Sequence, residues 1–153
     1  MPRVLLDTTA YIDLERLPRH LNKPWAVNTL RQANSYAKKY GKACLSALTV
    51  MELARGYRQE LIGGKRDTFE QEIASAFDIV DFNVSTACLA GSIYADLERS
   101  RQRIGITDTG LAATAIHHGL LLVSANTDHF RRVIELGYPL ALANWRNDLP
   151  DAH

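Results

Sequence analysis

The sequence predicts a doubly wound α/β fold with a central, mostly parallel, four- to five-stranded sheet. Several short apolar runs neither alternate with polar residues nor reach the length of an independent helix. Such runs are typical of parallel strands that are buried on both faces. The stretches between them have helical periods, and strand, helices, strand, helices, strand is the order expected of such a sheet.

Four strands are expected from the strongest runs, and a fifth run is weaker. The four runs are residues 4–6, 43–45, 79–80 and 120–123. The weaker run, residues 140–142, follows a turn signal that ends in a proline.

The helices are expected between these runs. Residues 47–61 carry apolar side chains three or four positions apart, and a second such stretch follows Ser85, a candidate N-cap. A third apolar stripe, in 108–118, ends at Gly119, where a left-handed glycine would stop the helix.

The chain is expected to form a single domain over residues 1–147, followed by a frayed polar tail at 148–153. Its 153 residues are 46% hydrophobic and 23% charged, which excludes a disordered tail protein, a collagen-like fibre and a disulfide scaffold. Pro18 and Pro24 bracket a predicted loop, and Gly63-Gly64-Lys65 marks a turn.

A cytoplasmic protein without a membrane partner is expected. No apolar run approaches the roughly 20 residues of a membrane span, and the N-terminus lacks the apolar core of a signal peptide. Cys44 and Cys88 lie far apart in largely apolar segments, so both are interpreted as buried, reduced, structural thiols.

The net charge of +1 conceals an uneven distribution. Residues 1–42 contain eight Lys/Arg and three Asp/Glu, whereas 43–83 contain four and seven, and 84–153 contain six and seven. A basic N-terminal region is suited to a polyanion. For residues 31–42, a solvated helix face is the alternative.

Acidic residues occur where the predicted strands end. Asp7 directly follows the first run, Glu52 lies one turn into the helix after the second, and Asp108 opens the helix that leads to the fourth. Ligands of open α/β sheets bind outside the carboxyl ends of the strands. Gathered carboxylates repel one another unless a cation is present, and Mg²⁺ or Mn²⁺ prefers oxygen ligands. The pattern therefore indicates metal-dependent phosphodiester hydrolysis.

Structural roles are the alternative for each acid taken alone. Asp7 and Asp108 are also suited to helix caps, and Glu52 to a solvated helix face. Spacing alone does not establish that the three side chains converge.

Four segments resemble, in order, the motifs of PIN domains. They are residues 5–13 (LLDTTAYID), 46–53 (SALTVMEL), 104–115 (IGITDTGLAATA) and 122–130 (LVSANTDHF). Asn144-Trp145 is similar to the closing strand of that family. The resemblance covers almost the whole chain and implies a PIN-like three-layer α/β/α sandwich.

The resemblance also implies a site and its chemistry. Asp7, Glu52 and Asp108 would coordinate Mg²⁺ or Mn²⁺, and Thr8 or Thr9, with Ser46, would hold the acids by hydrogen bonds. Chain length further suggests VapC-type toxins, which are endoribonucleases. That similarity implies an RNA substrate, a homodimer, a VapB-type antitoxin and operator DNA bound only through the antitoxin complex.

One position departs from the family pattern. Many relatives carry a fourth acid directly before the phenylalanine of the last motif, and this chain has His129 there. Asn126 and Asp128 are both candidates to line the site instead, with Asn126 favoured.

Other functions and residues stay open. A catalytically inactive PIN-like module that binds RNA or protein is the main alternative, and a phosphatase with an Asp7 nucleophile is a weaker one. Arg99, Arg101 and Arg103 are candidates to contact RNA or simply belong to a surface helix end. Asp13 and Glu15 are interpreted as solvated.

Overall fold

A five-stranded sheet lies at the centre of the computed structural model, which describes residues 3–59 and 68–147. The strands are β1 Val4–Leu6, β2 Cys44–Ser46, β3 Asp78–Val80, β4 Leu121–Val123 and β5 Ala141–Ala143. Their order across the sheet is β3-β2-β1-β4-β5, and every neighbouring pair is parallel. All five apolar runs are therefore strands.

Seven helices are found in the described part of the chain. They are α1 Thr8–His20, α2 Pro24–Tyr40, α3 Ala47–Arg58, α4 Phe69–Ala76, α5 Val84–Arg99, α6 Ile106–His118 and α7 Thr127–Glu135. Within those same residue ranges, no helix has the length and apolar character needed to span a membrane.

The side chains of alternate strand residues pack into two separate hydrophobic cores, one on each face of the sheet. Leu5 and its neighbours in the register, Cys44 and Leu122, pack against α5, α6 and α7. The next residues along, including Leu6 and Val123, pack with side chains of α1 to α4. This arrangement confirms the three-layer α/β/α sandwich.

The expectation of strands buried on both faces is correct only for the three central strands. Residues of β1 and β2 are all buried, whereas β3 and β5 are exposed or half-buried. An edge strand has a single neighbour, so fewer helices cover it.

Several local interpretations of the sequence are wrong. Pro18 lies inside α1, so the loop that was expected to run from Pro18 to Pro24 is confined to residues 21–23. Asn83, rather than Ser85, caps α5 by accepting the backbone N–H of Thr86. The turn at 63–65 and the tail at 148–153 fall outside the described residues.

Cys88 is exposed, whereas Cys44 is buried as expected. The buried side of α5 carries Ile93 and Leu97, and Cys88 occupies a position on its outer surface.

Asp13 is buried and paired rather than solvated, whereas Glu15 is exposed. Both carboxylate oxygens of Asp13 accept hydrogen bonds of 2.5 Å from the guanidinium of Arg146. The Asn28 amide donates to the carbonyls of Trp145 and Arg146. These contacts fix the chain after β5 onto α1 and α2.

We expect Arg146→Ala to lower the free energy of unfolding by about 3 kcal/mol, because it leaves a buried carboxylate without its partner. The Asp13 side chain is only 4% exposed. Urea denaturation measures this loss, with Arg99→Ala as the control. Arg99 pairs with Asp96 at 3.7 Å on the surface, so its loss costs less than about 1 kcal/mol. Equal losses of unfolding free energy in the two variants would show that the buried Asp13–Arg146 pair stabilises the fold no more than a surface pair does.

Candidate active site

The fold brings the three sequence-predicted acids to one edge of the sheet. Asp7 directly follows β1 and is the N-cap of α1. Glu52 lies on α3, which begins where β2 ends. Asp108 lies in the first turn of α6, the helix that precedes β4. Because β2, β1 and β4 are adjacent and parallel, their carboxyl ends meet at this edge.

Asp7 is the most enclosed of the three acids, at 2% exposure. Its Oδ1 accepts the Thr9 hydroxyl at 2.6 Å and the Ala10 backbone N–H at 2.8 Å. The side chain therefore caps α1, as one reading of the sequence proposed.

Burial raises the pKa of Asp7 to about 6. Hydrogen bonds from Ser124, Thr9 and Ala10 oppose this rise in the pKa, and the charge of Asp108 adds to it. Asp7 and Asp108 are thus near enough for their charges to interact.

Thr9 joins Asp7 to the loop that follows β4. Its hydroxyl oxygen accepts the Ala125 backbone N–H at 2.9 Å and lies 3.3 Å from the Ser124 hydroxyl. Ser124 in turn accepts the Asn126 backbone N–H at 2.9 Å. Sequence reasoning did not single out Ser124, although it follows β4 as Asp7 follows β1.

Glu52 reaches the same neighbourhood through Thr8. The Thr8 hydroxyl donates to Glu52 Oε1 at 2.7 Å, and Thr8 is the residue after Asp7. Ser46 is the N-cap of α3, where its hydroxyl accepts the Leu48 backbone N–H at 3.1 Å.

His129, which directly precedes the phenylalanine of the last motif, contacts Asp108. Its Nδ1 lies 3.4 Å from Asp108 Oδ2 and 3.5 Å from the Asn126 amide nitrogen. Asn126 therefore lies at the rim of the acidic cluster. Asp128 is exposed in the first turn of α7.

The donor chemistry at this edge suits a hard divalent cation. Asp7 carries an elevated pKa beside a second carboxylate, which is the electrostatic situation that a bound cation relieves. Each carboxylate also has a neighbouring polar side chain: Thr9 beside Asp7, Thr8 beside Glu52 and His129 beside Asp108. Among residues 3–59 and 68–147, no three His, Cys, Asp or Glu side chains are grouped closely enough to hold a metal. The ligand roles of the acids stay a prediction.

Of the candidate RNA-contacting arginines, Arg99 is the last residue of α5, and Arg101 and Arg103 lie on the segment that follows it. Arg99 and Arg103 each approach an acid of α5, Asp96 at 3.7 Å and Glu98 at 3.9 Å. Arg101 is exposed. Two of the three thus have their charge partly compensated locally.

The structure is an α/β/α sandwich with an all-parallel sheet, and its carboxylates lie at the carboxyl edge of that sheet. The protein is therefore an α/β domain with an acidic site. A family model described as "PIN domain" matches residues 4–136. The chain therefore belongs to the PIN domain family, as its four motifs indicate.

Named relatives are similar over most of the chain. The tRNA(fMet)-specific endonuclease VapC of Shigella flexneri is 31% identical over 133 residues, covering 87% of this chain and 93% of that protein. Ribonuclease VapC1 of Rickettsia felis is 30% identical, covering 85% and 90%. These matches confirm the resemblance to VapC-type ribonucleases.

Solved structures share the fold. FitAcB from Neisseria gonorrhoeae has a TM-score of 0.73 at 24% identity, covering 95% of this chain and 99% of that one. DNA-bound VapBC from Salmonella typhimurium has a TM-score of 0.69 at 22% identity, with coverages of 95% and 99%.

We expect the stability of the metal-free protein to report the elevated pKa of Asp7. Asp7 binds a proton more tightly in the folded protein, where its pKa is about 6, than in the unfolded chain, where the ordinary value is 3.8. This difference stabilises the fold fully below pH 3.8, and the stabilisation is lost as the pH rises through about 6. Asp7→Asn lacks this dependence and retains a capping oxygen. Its free energy of unfolding should therefore rise relative to wild type between pH 4 and pH 7, by roughly 3 kcal/mol.

Urea denaturation in chelator-containing buffer across this pH range measures the difference. Asp81→Asn, an exposed acid directly after β3, is the control. A difference between Asp7→Asn and wild type that stays constant with pH would contradict the assignment.

Proposed function

We propose that this protein is a Mg²⁺- or Mn²⁺-dependent endoribonuclease and the toxin of a VapBC-type toxin–antitoxin pair. The observation that carries the proposal is the buried Asp7 carboxylate, whose pKa is raised by burial and by Asp108, at the edge where Glu52 also lies. The relatives named as VapC ribonucleases support the same chemistry.

In this proposal Asp7, Glu52 and Asp108 hold the cation. When bound, such an ion supplies a polarised water for attack on an RNA phosphodiester and neutralises charge on the phosphoryl group. Thr9 and Thr8 orient the Asp7 and Glu52 carboxylates by donating to their oxygens. His129 lies against the Asp108 carboxylate, and the Asn126 amide nitrogen lies 3.5 Å from the same imidazole nitrogen.

A catalytically inactive PIN-like module that docks RNA or protein is the second candidate. The imidazole of His129 against Asp108 favours it, because the resemblance to PIN domains implies an acid at this position. The buried and electrostatically strained Asp7 favours the enzyme, since a docking surface has no need of a carboxylate enclosed beside another acid.

The proposed partners follow from the family resemblance. We infer a VapB-type antitoxin, with operator DNA bound only through the toxin–antitoxin complex, and a cytoplasmic setting where RNA is present. Structural neighbours described as VapBC complexes, two of them bound to DNA, support this inference. A pull-down that returns this chain without a small protein partner would count against it.

A homodimer is also proposed, with an apolar groove of about 440 Å³ between α3, α5 and α6 as the contact surface. Met51 and Ile106 border the groove and are 58% and 75% exposed. Exposed apolar surface of this kind is typical of protein interfaces.

We expect Asp7→Asn and Asp108→Asn each to lower RNA cleavage at least about 100-fold, because each removes a charged oxygen from the proposed cation site. RNA 5′-end sequencing after brief expression at matched soluble levels identifies new ends made only by the wild type. Titration of Mn²⁺ by electron paramagnetic resonance measures cation binding separately.

Asp81→Asn is again the control, because that acid lies at the same sheet edge but is exposed and outside the motifs. Wild-type cleavage by either site variant would remove that residue from the mechanism. Absence of new ends from a folded wild type would favour the docking module.

We expect Gly91→Arg to convert the dimer to a monomer. Gly91 lines the groove, and a Cβ there meets nothing within 4 Å, so the monomer accommodates the side chain. Light scattering coupled to size exclusion gives the mass, with Ala74→Arg on the exposed side of α4 as the control. A dimeric Gly91→Arg variant would exclude this groove as the interface.

A further inference from the structure

We infer that the junction of α1 and α2 forms a second RNA-contacting surface, separate from the acidic site. This inference rests on the proposed ribonuclease function. We call the surface the basic tip, and define it as Arg16, Arg19, Lys23, Trp25 and Arg31.

The charge of this region is one-sided. Between Arg16 and Met51 the chain contains seven Lys/Arg and no Asp or Glu. The four cations of the basic tip are all exposed. The nearest acids along the chain are Asp13, which is paired with Arg146, and Glu15, which neighbours Arg16. The tip therefore keeps an excess of positive charge, which is what phosphate groups require.

An aromatic ring lies within these cations. Trp25 is half-buried, and the guanidinium carbons of Arg146 and Arg16 lie 4.5 Å and 5.8 Å from its ring centre. The His20 ring lies 5.6 Å away at a tilt of 40°. Stacked planar cations and rings of this type are the groups on which unpaired bases stack.

A groove of about 370 Å³ adjoins the ring and carries both charges and amides. It is lined by Asn22, Lys23, Pro24, Val27, Asn28 and Arg31. Lysine, arginine and amide side chains account for many contacts to nucleic-acid phosphates and sugars. The Asn28 amide donates to the carbonyls of Trp145 and Arg146, so Asn22, Lys23 and Arg31 are the groups proposed to contact RNA here. An acidic protein could also pair with these cations, but it has no bases to stack on the Trp25 ring. Exposed cations together with an aromatic ring therefore favour RNA as the partner.

The distance between the two surfaces sets the size of RNA that uses both. The helix α1 runs for 13 residues from Thr8, next to Asp7, to His20, which is about 20 Å along its axis. Along a stacked strand, which rises about 3.4 Å per nucleotide, this separation corresponds to roughly six nucleotides. The tip therefore selects longer or folded RNAs over short fragments.

The other cations of this stretch provide a matched control. Lys38, Lys39 and Lys42 lie at the far end of α2, where the chain enters the amino end of β2. In that region the hydroxyl of Tyr36 accepts the Val4 backbone N–H at the start of β1. They thus lie toward the sheet edge opposite to Asp7.

Fluorescence anisotropy in an Asp7→Asn background tests the inference without cleavage. The probes are a hairpin RNA of about 24 nucleotides and a single strand of about five. The tip variant is Arg16→Gln/Lys23→Gln/Arg31→Gln, and the control variant is Lys38→Gln/Lys39→Gln/Lys42→Gln. Both remove three positive charges, and thermal unfolding checks that both are folded. Lys23→Gln alone serves if the triple variant does not fold.

We expect the tip variant to bind the hairpin roughly tenfold more weakly and to lose about two units of slope in log K against log salt. Its ratio of hairpin to short-strand affinity should fall, whereas the control variant keeps the ratio of the parent. Equal losses in the two triple variants, or an unchanged hairpin affinity, would overturn the basic tip.

Two further outcomes are informative. Loss of a co-purifying protein partner with unchanged hairpin binding would also overturn the inference, since the surface would then bind protein. If the parent binds neither RNA and the wild type cuts none, the proposed function itself fails.

Discussion

The enclosure of one carboxylate, that of Asp7, is the constraint on which the acidic edge depends. The residue lies between the central strand and α1, so its side chain accepts hydrogen bonds from backbone and hydroxyl donors while being almost removed from water. A charged group in such a place is costly unless hydrogen bonds or a cation compensate it. Thr9 meets part of this need and holds the loop after β4 at the same time. The shape of the edge therefore follows from the solvation of one residue.

The three acids differ in their local partners and so are not interchangeable. Asp7 has a hydroxyl and a backbone donor, Glu52 a hydroxyl, and Asp108 an imidazole. Their exposure also differs, since Asp7 is buried and the other two are half-buried. Glu52 and Asp108 are partly accessible to solvent, whereas Asp7 is almost fully buried at the same sheet edge.

Those parts of the structure that depend on local patterns were predictable from the sequence. The five strands are continuous apolar runs, Asp7 is suited to a cap, and Gly119 ends α6 in the left-handed conformation. The errors arise from contacts between residues far apart in the chain. Asp13 is buried because Arg146 reaches it from beyond β5. No local pattern contains that information.

The same distinction applies to the candidate site. Motif resemblance picked out the acids and both threonines, but the link from Thr9 to the β4 loop spans most of the chain. The contact between His129 and Asp108 depends equally on how α7 packs beside α6. Spacing in a sequence does not encode such packing, since it follows from the sheet order.

That sheet order has a consequence for synthesis. The central strand β1 is made first, yet one of its two neighbours, β4, comes from late in the chain, with Val4 opposite Leu121. Until translation has passed that point, Asp7 lacks the Ser124 loop and β1 exposes one open edge. Non-local pairing of this kind also slows folding. A chain that ends before β4 thus contains Asp7, Glu52 and even Asp108 without the strand pairing that assembles the acidic edge.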